Sequence, residues 1–223
     1  MTATLQITNW VLRRVFQALC RIDAEELNQV PRNGPLILVA NHINFLEVPV
    51  VMSHLNNPNI TGLAKRETWQ NPLFTFLFNQ WRAIPIDRGV VDRQAIKLSL
   101  EALAQGKILA VAPEGTRSKT GSLLKAKSGV VALAQLSQAP LMPIVSFGHE
   151  NFWQNCMRLR RTDFHIRVGQ TFRIRFPAGA SDKEARQAIA DEIMYRLAEL
   201  LPPRYRGVYT DVDTVTYQYA LPA

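Results

Sequence analysis

The chain has 223 residues, 47% of them hydrophobic, enough to bury the core of one compact domain and to exclude a disordered polymer. Its two cysteines, Cys20 and Cys156, fall in no CxxC or Cys/His spacing, which excludes a disulfide framework and a zinc site and fits a reducing compartment. The net charge of +8 calls for an acidic partner, and nucleic acid, an anionic membrane surface and a phosphorylated small substrate all satisfy that requirement.

Residues 5–20 set Leu5, Leu12, Val15, Phe16 and Leu19 against Arg13, Arg14 and Gln17, the pattern of an amphipathic helix. Two readings stand: a helix packed on its own domain, or one lying in a membrane interface, where a basic face and a tryptophan such as Trp10 are at home. Arg13, Arg14 and Arg21 interrupt the run, so it falls short of the roughly 18–20 apolar residues of a spanning helix. It also lacks the cleavage site of a secretory signal. Residues 1–30 are therefore expected to form an N-terminal, membrane-associating helix ahead of a domain over 31–223, kept on the cytoplasmic side.

Pro31, Asn33, Gly34 and Pro35 mark a loop, and the apolar run 36–40 that follows reads as a strand buried on both faces. The aromatic stretch between Trp69 and Trp81 reads either as a core helix or as a surface that lines an apolar groove or dips into a bilayer interface. Residues 92–105 carry Ile96, Leu100 and Leu103 at helical spacing, 108–112 is a second short apolar run, 127–138 is helical in pattern, and 141–147 is a third strand. Residues 165–176 alternate as one or two strands, and Ser181 with Glu184 forms a capping box ahead of a helix through Ile189, Ile193, Leu197 and Leu201. Strands separated by helices predict an α/β fold with a largely parallel sheet flanked by helices. Ligands of such sheets sit beyond the carboxyl ends of the strands.

Two segments fall there. Asn41 and His42 end the first strand and Glu47 follows five residues after the histidine. On one continuous helix residues five apart are turned by about 140°, so the pair meets only if His42 lies in a turn and the helix begins near Asn44 or Phe45. An imidazole that accepts a proton at one nitrogen needs a partner at the other, which Glu47 supplies. The competing account is a capping box with Asn44 as N-cap and Glu47 as its partner, which needs no catalysis. The second segment is Pro113, Glu114, Gly115, Thr116, Arg117 and Ser118. It offers close backbone approach at Gly115, hydroxyls at Thr116 and Ser118, and a guanidinium suited to phosphate at Arg117.

These segments, with Ile86-Asp87-Arg88 between them and Pro140 to Ile144 after them, resemble in order the four blocks of the glycerolipid acyltransferases, the 1-acylglycerol-3-phosphate acyltransferase family. The resemblance covers roughly residues 30–176, and Leu201 to Gly207 resembles the tail of many bacterial members. It implies a glycerol-3-phosphate acyltransferase-like fold and an enzyme of phospholipid biosynthesis that moves a fatty acyl group from acyl-CoA or acyl carrier protein to the hydroxyl of a lysophospholipid. His42 would be the general base and Glu47 its orienting acid. Arg88 and Arg117 would hold the acceptor phosphate, Glu114, Gly115 and Thr116 would shape the acceptor site, and Lys65 matches a basic position ahead of the second block. No metal and no cofactor beyond the acyl donor is implied. The departure is Glu47, where the family usually carries aspartate, which leaves a second reading: a relative altered in acceptor choice, or one that binds lipid or CoA without turning over. No reader motif or finger supports nucleic acid. The expected position is peripheral, on an anionic membrane surface at its cytoplasmic face.

Overall fold

The computed structural model describes residues 2–177 and 182–223. Among the described residues there are nine strands and seven α-helices. Helix α1 (Ala3–Leu19) is followed by β1 (Cys20–Asp23), β2 (Leu36–Ala40), α2 (Glu47–Leu55), β3 (Ile60–Lys65), α3 (Pro72–Gln80) and β4 (Ile84–Ile86). Then come α4 (Arg93–Ala104), β5 (Ile108–Val111), α5 (Gly129–Ser137), β6 (Leu141–Phe147), α6 (Phe152–Met157), β7 (Thr162–Val168), β8 (Phe172–Ile174), α7 (Lys183–Ala198) and β9 (Ala220–Pro222).

The strands form one sheet in the order β1-β7-β6-β2-β5-β3-β4, with β8 paired to β6 and β9 to β8. Strand β2 runs parallel to both β5 and β6, while β6 pairs antiparallel with β7 and β8. Being central, β2 is buried on both faces and its side chains divide between two cores. Ile37 and Val39 pack beneath α4, α5 and α7 with Leu109, Leu133 and Ile193. Leu36 and Leu38 pack on the opposite face with Phe16 of α1 and Leu46 and Val50 at α2.

The predicted α/β architecture is the one observed, with β2 at the expected bounds and an N-terminal helix present. Helix α2 begins at Glu47 rather than near Asn44. Residues 43–46 form a tight turn instead, in which the Asn44 side chain accepts from the Leu46 N–H at 2.9 Å. At α7 the cap is Asp182, while the Ser181 of the expected capping box lies outside the described residues. Strand β3 had no apolar signature, because Thr61 and Gly62 break the run. Helix α1 packs along α2 and against α3, through Leu5, Leu77 and Trp81 and a 3.1 Å hydrogen bond from Trp81 Nε1 to Asn9 Oδ1. None of the described helices is long and apolar enough to cross a membrane.

Candidate active site

The first turn beyond β2 is fastened on both sides. The side chain of Asn41 pairs with the backbone of Ser146 in β6 as a peptide would, donating to its carbonyl at 2.9 Å and accepting from its N–H at 2.8 Å. On the other side Glu114, just past β5, accepts from the His42 N–H and from the Leu124 N–H, each at 2.9 Å, and the Ser118 N–H donates to the His42 carbonyl at 2.7 Å. Adjacent parallel strands β2 and β5 thus bring two segments seventy-two residues apart into one turn.

Within it, Glu47 is a hub. Its Oε1 accepts from the N–H groups of Ile43 and Asn44, both at 2.8 Å, and from Nε2 of His149 at 2.7 Å. Its Oε2 meets Nδ1 of His42 at 2.5 Å. Burial would raise the Glu47 pKa, but the hydrogen bonds and charges of His149 and His42 outweigh it and bring the value down to about 2. The carboxylate is therefore ionised at neutral pH and only accepts, so Nδ1 of His42 and Nε2 of His149 carry the protons. That leaves Nε2 of a neutral His42 as the ring's proton acceptor. The expected capping box is not formed, because α2 begins at Glu47 with Leu46 as its N-cap and the Asn44 side chain takes the Leu46 N–H instead. The orienting account is realised, one oxygen of Glu47 holding the turn and the other the imidazole.

Glu114 shifts the opposite way. Desolvation raises its pKa, and Glu47 adds to the effect against the two backbone donors, giving about 7. Its carboxylate is spent on the His42 turn and the loop at Leu124, so it builds the site from behind and presents no oxygen to a ligand. Gly115 has φ +67°, and a Cβ there would lie 3.0 Å from Cδ and 3.2 Å from Nζ of Lys127. A side chain at 115 would displace that lysine, which sequence reading passed over. The N–H groups of His42, Ile43, Asn44, Gly115 and Ser118 are all bonded within the protein, so oxyanion stabilisation does not come from these five.

A cavity of about 130 Å³ opens beside His42. Small residues of the sheet, Ala40, Gly62 and Ala110, leave room at its floor, and Val48, Met52, Phe78 and Trp81 cover it. Arg88 lines the same cavity, its pKa pressed down by partial desolvation and by the nearby charge of Arg117. Thr116 and Arg117 are exposed on the rim side of the turn. Lys65 is not brought in: it ends β3 exposed and paired with Glu67 at 3.0 Å. Among the described residues no group of His, Cys, Asp or Glu could hold a metal ion. The residue that sequence reasoning missed is His149. Its only signal is a polar Gly148-His149-Glu150 directly after the strand β6.

The Acyltransferase family model matches residues 21–146, spanning β1 to β6 and every residue of the His42 turn. The chain belongs to that family. It is 26% identical over 175 residues to the 1-acyl-sn-glycerol-3-phosphate acyltransferase of Bacillus subtilis (strain 168), covering 77% of this chain and 83% of that one. The Cocos nucifera protein of the same name is 32% identical over 132 residues, 57% of this chain, and the match spans only 42% of its length. The crystal structure of the 1-acyl-sn-glycerophosphate (LPA) acyltransferase PlsC from Thermotoga maritima shares the fold, with TM-score 0.63 and 19% identity, over 96% of this chain and 81% of that one.

Proposed function

We propose that this acyltransferase moves a fatty acyl group from a thioester, acyl-CoA or acyl carrier protein, to the free hydroxyl of 1-acyl-glycerol-3-phosphate, giving phosphatidic acid. The observation that carries the reading is the ionised Glu47 bonded to Nδ1 of a part-exposed His42 at the mouth of an apolar cavity. A neutral imidazole fixed in this tautomer accepts the acceptor's hydroxyl proton at Nε2 as the oxygen attacks the thioester carbonyl. The tetrahedral intermediate collapses with loss of the thiolate, which takes up the proton. No covalent acyl-enzyme and no cofactor enters the reaction. The apolar cavity suits an acyl chain, and the guanidinium groups of Arg88 and Arg117, near enough for the charge of one to act on the other, suit a phosphate monoester. The relatives named 1-acyl-sn-glycerol-3-phosphate acyltransferase support the same acceptor.

The reading includes a peripheral position on an anionic membrane surface, at its cytoplasmic face, since a long-chain lysolipid resides in the bilayer. Ile7, Trp10, Val11 and Val15 of α1 and Leu73, Phe74 and Phe76 of α3 are exposed, and the +8 charge favours anionic headgroups.

The test is mass spectrometry of products after the purified protein is given mixed lysolipids with acyl-CoA or acyl carrier protein. One diacyl phosphate product is expected, absent in His42→Ala. In Glu47→Gln, which offers His42 an amide in place of a carboxylate, the rate should fall about 10³-fold or more. Ligand binding without thiol release in the wild type would instead establish a non-catalytic lipid or CoA binder, and turnover of a phosphate-free lysolipid alone would overturn the acceptor.

A further inference from the structure

His149 is wholly buried, its ring stacked on Phe164 at 4.2 Å between centroids. Its Nε2 donates to Glu47 Oε1 at 2.7 Å, but Nδ1 has no hydrogen-bond partner among the described residues. A buried polar atom left unpaired costs about 1–3 kcal/mol. A phenylalanine or leucine would fill the same space against Phe164 without that cost, so packing alone does not account for an imidazole here. What the imidazole adds is a single donor, aimed at the oxygen of Glu47 that His42 does not use.

The consequence is a division of the carboxylate. Two backbone N–H groups and His149 Nε2 occupy Oε1, and Oε2 is left to His42 alone. Glutamate has three side-chain torsions, and its terminal one is soft. Two donors from adjacent residues at one oxygen fix the position of that oxygen and leave the carboxylate free to swing about it. A third donor, from the segment just beyond β6, restrains the swing and aims Oε2 at Nδ1. The segment bearing His149 is itself anchored: its carbonyl accepts from Asn44 Nδ2 at 2.9 Å, and Glu150 accepts from the Tyr205 hydroxyl at 2.8 Å. The Tyr205 carbonyl in turn receives the Leu123 N–H at 2.9 Å, next to the residue whose N–H Glu114 holds.

We infer that His149 is a positioning residue of the acyl transfer, acting on His42 through the bound oxygen of Glu47. It touches no substrate, being fully enclosed while the His42 side chain keeps 13% of its surface open. The inference rests on the proposed role of His42, and its test separates the two.

The direct readout is the proton resonance of the His42 Nδ1–H bonded to Glu47, in protein labelled with ¹⁵N-histidine and assigned by its loss in His42→Ala. It needs no substrate, so it reports on His149 even if the acyl acceptor is misassigned. Glutamine sets an amide nitrogen close to where Nε2 stands, whereas asparagine stops short of it. His149→Gln is expected to keep the resonance, and His149→Asn and His149→Leu to lose or broaden it while still melting cooperatively. With acyl-CoA and the lysolipid turned over by the wild type, kcat should fall roughly tenfold to a hundredfold in the Asn and Leu variants, the worth of one charge-assisted hydrogen bond. KM for each substrate should stay within about twofold, because ground-state contacts are untouched. If the Leu variant does not fold, the comparison of Gln with Asn decides. Equal resonances and equal kcat across Gln, Asn and any folded Leu variant would overturn the inference.

Discussion

Glu47 and Glu114 grip the same turn and titrate in opposite directions. Glu47 receives charge-assisted bonds from two imidazoles and sits at about 2, while Glu114 has only neutral backbone donors to set against desolvation and sits at about 7. The ordinary value of both is 4.5. The folded pKa of Glu47 is depressed, so its stabilisation is present above 4.5 and is lost as pH falls toward 2. The folded pKa of Glu114 is raised, so its contribution is fully present below 4.5 and is lost as pH rises through 7. Glu114→Gln removes that second titration. Across pH 4.5 to 8 the stability gap between wild type and variant should shrink by on the order of 3 kcal/mol, read from denaturant unfolding at each pH. A gap independent of pH would contradict the assigned titration. Of these groups, the pairing of His42 with Glu47 was legible because it depends on five residues of local chain and one strand end. His149 was not, because its approach to Glu47 across 102 residues is set by the register of β2 on β6, which no local pattern encodes.

The elements most clearly written in the sequence were those whose apolar periodicity is complete. Strand β2 came out with its expected bounds and α4 within a residue of the patterned stretch at each end, while α7 ends at Ala198, three residues short of the last patterned leucine, Leu201. Strand β3 was missed for the same reason that it matters to the cavity. Gly62 replaces an apolar residue, and a Cβ there would lie 3.2 Å from the Ala110 carbonyl oxygen and 3.3 Å from its Cβ. A strand emptied of side chains at its centre loses the alternation by which strands are recognised, and the missing volume becomes the space beneath α2 and α3. The aromatic stretch around α3 is no simple core helix: Phe78 and Trp81 line the cavity while Leu73, Phe74 and Phe76 are exposed. If the acyl chain occupies that space, Ala110→Leu should leave His42 and Glu47 in place and shorten the chain accepted. With a series of acyl-CoA substrates, the kcat/KM ratio of long to short chains is expected to fall at least about tenfold, the scale on which a few methylenes are discriminated in an apolar pocket. An unchanged chain profile would place the acyl group elsewhere.

At the scale of the whole molecule, a net charge of +8 accompanies exposed apolar side chains on α1 and α3. Helices α1 and α3 pack on each other through Leu5, Leu77 and Trp81, so their exposed faces lie side by side, and Trp81 touches both that contact and the cavity. A lipid surface against this flank would deliver the acyl chains of the acceptor close to where they are used, without passage through water. Large apolar side chains inserted into a bilayer interface contribute about 1.5–3 kcal/mol each relative to exposure, and near-surface Lys or Arg about 1 kcal/mol each on an anionic leaflet. Vesicles of phosphatidylcholine with phosphatidylglycerol are therefore expected to sediment the wild type, and less of it as salt rises, because exposed charges are screened beyond about 8–10 Å at physiological ionic strength. The double variants Val11→Ser with Trp10→Ser, and Phe74→Ser with Phe76→Ser, should each lower the partition constant by more than about tenfold. These positions lie outside the cavity and the His42 turn. Turnover of a short-chain, monomeric lysolipid in solution should therefore stay near the wild-type rate while turnover of a long-chain lysolipid in vesicles falls with binding. Equal vesicle binding by wild type and both variants would remove α1 and α3 as the membrane face, and a parallel loss on the soluble substrate would show that the substitutions had disturbed the fold instead.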